Sequence, residues 1–167
     1  NPNITNIQGN LIYIPGTPFE NVVINLPYNI QVPTSGSTSI RLQKIFFDQS
    51  ASNILPITSH FLYVYIKNLP LMSAVNNINF DGNNLIGTIP ILNTGQQYYN
   101  ESIDSAIQQQ IYDNTEFSYL NMEIRNDVGD VVTFATEAPI LQFIIETEHD
   151  DNNDGGGQLM VSAMNSQ

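Results

Sequence analysis

Cysteine is missing from this sequence, and so is tryptophan. The first absence removes disulfides, thiolate nucleophiles and thiolate metal ligands together, so stability has to come from packing and backbone pairing. Positive charge is scarce: Arg41, Lys44, Lys67 and Arg125 are the only Lys and Arg residues, against sixteen acids, for a formal net charge of −12. Phosphate binding depends on clustered Lys and Arg, so direct nucleic-acid binding is excluded as a function class. Long apolar runs are missing too. The longest, Phe61 to Ile66, is far short of the roughly 20 residues that carry a helix across a bilayer, and no membrane span is expected. Residues Asn1 to Thr5 carry neither a basic leader nor an apolar signal core, which leaves secretion open.

What is present is one domain's worth of chain. The 167 residues include 41% hydrophobic side chains, enough to fill a single core. Charged residues make up 12%, about half the usual share, and Asn, Gln, Ser and Thr supply much of the polar surface. Such a surface of neutral hydrogen-bonding groups is compatible with burial against neighbouring chains.

Short runs of β-branched and aromatic residues recur between Gly, Pro, Asn and Asp. The clearest are 19–26, 39–47, 60–68, 85–92, 117–125, 130–135 and 140–147, which predicts seven or eight strands, with prolines marking their limits. Within 39–47 the face carrying Ile40, Leu42, Lys44 and Phe46 is the better core candidate. Leu62, Val64 and Ile66 share one face of their run, and Phe61, Tyr63 and Tyr65 the other, so that strand is covered on both sides or presents its tyrosines to an interface. Leu120, Met122 and Ile124, and likewise Leu141, Phe143 and Ile145, read as inward faces. Asn126-Asp127-Val128-Gly129 is a hairpin signal, and Asp81-Gly82-Asn83-Asn84 a second. Ile103, Ala106, Ile107 and Ile111 fall at helical spacing, predicting one short helix over 100–111. The fold class expected is all-β: an antiparallel β-sandwich, a single jelly roll with one short helix, with an immunoglobulin-like sandwich as second choice. The domain covers 1–149 with an extended N-terminal arm; 150–167 is expected as a flexible acidic and glycine-rich tail or loop.

Catalytic machinery is hard to assemble from these residues. Only His60 and His149 could serve as an imidazole base, and neither lies near a nucleophile motif. The carboxylates Glu116, Glu123, Asp127 and Asp130 could supply a glycosidase pair, but nothing in their spacing points to one. Gly155-Gly156-Gly157 follows acids and precedes no phosphate-binding Lys. No enzyme activity and no cofactor are expected. Asp150, Asn152 and Asp154, followed by Gly155, occupy the first, third, fifth and sixth positions of a calcium loop. Val161 stands where the bidentate acid belongs, so the segment reads as a mobile acidic loop with calcium binding as the alternative. Asn3-Ile4-Thr5 and Asn100-Glu101-Ser102 are glycosylation sequons, relevant only in a secretory compartment.

Four stretches, 39–47, 62–70, 119–134 and 140–146, together resemble the single jelly-roll penton and minor capsid proteins of icosahedral double-stranded DNA viruses, the lineage of virophages, polinton-like viruses and large viruses of eukaryotes. The resemblance lies in the order of elements and in the closing strand, Asn-Asp-x-Gly hairpin, strand sequence, over about two thirds of the chain. It implies a structural virion protein, assembled in the host cell into homopentamers at the fivefold vertices and contacting the major capsid protein. Many members carry an inserted outer domain, which this chain has no room for, and that leaves receptor or fibre attachment open. The competing reading is a secreted or surface binding module for carbohydrate or a receptor, calcium-dependent or not. Its contacts would be Tyr13, Tyr28, Tyr98, Tyr99 or the acidic loop.

Overall fold

Alternation of apolar and polar residues gives strands that must pair to hide their apolar side. The computed structural model, which describes residues 3–12, 14, 19, 22–34, 37–48, 60–72, 84–91, 96–100, 107–134, 139–148 and 157–165, contains eleven of them. They are β1 (Asn3–Ile12), β2 (Val22–Gln31), β3 (Ser37–Asp48), β4 (Phe61–Ile66), β5 (Leu71–Met72), β6 (Leu85–Pro90), β7 (Gln96–Asn100), β8 (Gln109–Ile111), β9 (Glu116–Asn126), β10 (Ile140–Glu148) and β11 (Gly157–Asn165). Ten follow one path, β5-β8-β3-β10-β11-β1-β2-β9-β4-β6, and β7 adds to β3. All pairings are antiparallel except β1 with β11.

The path curls on itself, so that β6 faces β3. A Cβ placed on Gly87 would come within 2.7 Å of Leu42 Cδ2, which fixes how closely the two layers approach. Between them lies the core: Ile40, Leu42, Ile45, Phe47, Leu141, Phe143, Ile145 and Val161 on one side, Ile24, Leu62, Val64, Ile66, Ile89, Leu120, Met122 and Ile124 on the other. One corner is locked by aromatic rings. Phe134 meets Phe19 and Phe47 edge-on, with centroids 5.5 and 5.8 Å apart, a geometry that aligns ring edges with neighbouring π faces.

The inward faces expected for β4, β9 and β10 are the buried ones. In β3 the expected face is only half right. Ile40 and Leu42 point inward, but the core is continued by Ile45 and Phe47, while Lys44 and Phe46 are half-buried. The cause is a bulge: Leu42 pairs with Phe143 and Lys44 with Gln142, which leaves Gln43 as an extra residue and reverses the alternation beyond it.

Other expectations change similarly. Among the described residues there is no helix. Asn100 ends β7 and Gln109–Ile111 is β8, both paired with β3; residues 101–106 of the expected helix lie outside the described set. The isoleucine spacing that suggested a helix therefore includes Ile111, a buried strand residue whose partner, Thr38, is far away in sequence. Residues 130–135 were expected as a strand. Residues 131, 133 and 134 there make only isolated bridges, Val131 with Arg125; Val132 donates to the Ile124 carbonyl of β9 at 2.9 Å and accepts from the Phe19 N–H at 2.7 Å, and residue 135 lies outside the described set. Pro27 does not end its strand but lies inside β2, at an irregularity in the pairing with β9. Gly157–Asn165, placed by sequence in the tail, is β11, with fully buried Val161 between Ile7 and Phe143.

Candidate functional site

The hairpin expected at Asn126–Gly129 forms. Asn126 Oδ1 accepts from the N–H groups of Val128 and Asp130, at 3.2 and 2.8 Å, and Gly129 takes the positive φ of 93° that the turn needs. Its effect is to hold Arg125 over the outer surface of β9, where Arg125 Nη1 donates to the Gly129 carbonyl at 2.7 Å.

Cross-strand register then builds an outward face from β4 and β9. Tyr63 pairs with Arg125 and Tyr65 with Glu123, while Val64 and Ile66, between and beyond the tyrosines, fill the core. Glu123 is only 4% exposed although it points away from the core. Two cations compensate it: Arg125 Nε lies 2.5 Å from Oε1, and Lys67 Nζ pairs with Oε2. Burial pushes the Glu123 carboxyl upward, but hydrogen bonds and charge from Arg125 and Lys67 outweigh it and hold the group below its ordinary value. Tyr65 is pushed up to about 12, first by burial, then by Tyr63 and Glu123, with Arg125 opposing. The result is an aromatic face whose one buried carboxylate is neutralised within the chain. The opposite layer hides charge in the same way: Arg41, 4% exposed, lies 3.4 Å from Glu146, beside buried Ile144.

At the other end of β9 the pairing with β2 breaks. Asn25 pairs with Tyr119 and Ile30 with Phe117, so four residues of β2 span the single Ser118. The excess opens a cleft of about 340 Å³ lined by Asn29, Asn68, Glu116, Phe117, Ser118 and Tyr119. Asn29 Nδ2 donates to Glu116 Oε1 at 2.5 Å. Asn68 spans the strands at its wall, donating to the Tyr119 carbonyl at 2.8 Å and accepting from the Asn121 N–H at 2.7 Å.

The residues singled out from sequence scatter. His60 is exposed, and its ring lies 3.3 Å from Asp127 Oδ2; His149 lies outside the described residues. Glu116 and Glu123 stand seven positions apart on one strand, about 23 Å at ~3.3 Å per residue, far beyond the separation of a glycosidase pair. Asp130 is exposed in the turn. Asp150, Asn152 and Asp154 lie outside the described residues, as do Tyr13 and the proposed turn at 81–83. Val161, at the twelfth loop position, is a core residue. Among the described residues no group of three His, Asp or Glu is placed to hold a metal, and no helix is long and apolar enough to cross a membrane. Tyr28 is half exposed. Tyr98 and Tyr99 pair with Phe46 and Ile45 through their backbones.

Sequence reasoning missed both the Lys67–Glu123–Arg125 cluster and the cleft. The first had a faint signal, since Glu123 and Arg125 at i, i+2 share a strand face. The second had another, a proline followed by Tyr28-Asn29 inside a strand pattern. A scan against protein-family models gives no match, nor do searches of curated proteins and of solved structures.

Proposed function

We propose that this chain is a structural virion protein, a single jelly roll that serves as a vertex (penton) or minor capsid building block, forms homopentamers and contacts the major capsid protein. The observation that carries the proposal is the nesting of strand pairs. β4 pairs with β6, β3 with β8, and β2 with β9, each pair enclosing the previous one in sequence; β1 and β10, next outward in sequence, do not pair with each other but each bond to β11. Nesting of this kind supports the jelly-roll reading, in which one long antiparallel ribbon is rolled so that successive strands fall mostly in alternate layers. In that description β5 and β7 are additions at the edge of the β3 layer, and β11 is an intercalated ninth strand.

Surface chemistry supports the assembly role. A ring places different patches of neighbouring subunits in contact, and such contacts tolerate polar groups provided charges are not buried unpaired. The outward β4–β9 face meets that condition: Glu123 is neutralised by its own chain, and exposed Phe61 with half-buried Tyr63 supplies aromatic area, while Tyr65 is buried. A low-resolution image of the native particle or complex tests the reading. Density for this chain at a fivefold axis is expected; density confined to a position outside any shell would overturn it.

A further inference from the structure

The β2–β9 irregularity makes a concave polar site that the assembly role does not use. Pro27 has no N–H to give to β9, and the surrounding residues bow away from Ser118, so the cleft is built into the backbone rather than left by a mobile side chain. Its chemistry is specific. Phe117, 6% exposed, gives an apolar base, and Tyr119, 43% exposed, offers a ring. Asn68 is fixed at both ends of its amide, and Asn29 orients the Glu116 carboxylate. Among the described residues no Lys, Arg or His lines the cleft, so an anionic ligand would meet the Glu116 carboxylate. Tyr28, next to Asn29 on the bowed segment, is 50% exposed.

We propose that this cleft binds a neutral sugar residue. A carboxylate accepts hydrogen bonds from two vicinal hydroxyls, an amide both donates and accepts, and an aromatic ring packs against the C–H face of a pyranose. The volume, about 340 Å³, is that of a small-ligand pocket and admits one or two sugar rings. Binding at one cleft is weak, and a ring of several copies would strengthen attachment to a glycan-covered surface through multivalency. The site belongs to the single chain, so this proposal does not depend on the assembly reading.

The test is a glycan array probed with the full chain, followed by titration of the retained sugar against three proteins: wild type, Glu116→Gln and Tyr119→Ala. Neutral glycans are expected to be retained, and each variant to weaken binding about tenfold, since each removes a charge-assisted bond or a stacking contact. Thermal unfolding of the variants controls for damage to the fold, and Glu116→Gln, at an exposed position, keeps the proposal testable if Tyr119→Ala fails to fold. Retention of only acidic or only cationic compounds would overturn it. So would neutral-glycan binding that both folded variants leave unchanged, or no retention at all.

Discussion

Gly87 measures how closely the two layers meet. A methyl group there would stand 2.7 Å from Leu42 Cδ2 and 3.3 Å from its Cβ, inside any normal carbon contact. Gly87→Ala is therefore expected to destabilise the protein by about 1–3 kcal/mol, and Leu42→Ala alone by about 2–5 kcal/mol. Combined, they should cost clearly less than the sum, because each relieves the defect of the other. Urea denaturation of the four proteins checks this, and strict additivity would mean the residues do not touch. Two ionisable residues add pH dependence. The folded-state pKa of Glu123 is depressed, so its contribution is complete above the ordinary carboxylate range and is lost as the pH falls through the depressed value. Stability should then decline below about pH 4. Glu123→Gln should lose about 1–2 kcal/mol at neutral pH, a modest figure because Lys67 and Arg125 remain partly hydrated, and should show a flatter acid limb in denaturation curves. For Tyr65 the sign is opposite: the neutral phenol is favoured by the fold, so the contribution is intact below about pH 10 and lost as pH rises towards about 12. Alkaline difference spectra should contain a late tyrosinate step that Tyr65→Phe abolishes; an unchanged titration in the variant would reject the assignment.

Among the elements, β11 carries the sharpest consequence. From Asn3 to Gly9, β1 pairs with β11 alone among the described residues, because β2 joins it only at Asn10–Ile12. Val161→Asp would bury an unpaired charge in that strand and should destabilise by at least about 3 kcal/mol, whereas Ser162→Asp on the opposite face should shift stability by less than about 0.5 kcal/mol. Equal effects in thermal unfolding would remove β11 from the sheet. In β4, β9 and β10, which sequence made legible, the core-facing residues fall at alternate positions along the strand, although Tyr65, Glu123 and Ile144 between them are buried as well. β1, β8 and β11 were not legible, because their sequences are polar or short and their place depends on partners far along the chain. The Gln43 bulge hid the second half of the β3 core face for a related reason. A single extra residue reverses alternation, and only the partner strand reveals it. The cleft was illegible on the same grounds, being defined by a mismatch between two strands rather than by either sequence. The hairpin at Asn126–Gly129 was readable because its chemistry is local: Asn126 caps its own turn and Gly129 adopts the positive φ.

On the scale of the whole molecule, few charges and a large excess of acids act together. The formal net charge of −12 makes identical copies repel, and added salt screens that repulsion within about 10 Å at 0.1 M. Assembly through the aromatic β4–β9 face should therefore strengthen, not weaken, as ionic strength rises from low values, which sedimentation across a salt series would register. A charge placed on that face, such as Tyr63→Asp, should shift the equilibrium towards smaller species. The direct measurement is the mass of the purified chain in solution by light scattering, alone and mixed with its shell protein. A species of about 93 kDa, five chains of 18.6 kDa, is expected; a chain that stays monomeric in both samples would contradict the shell-building role.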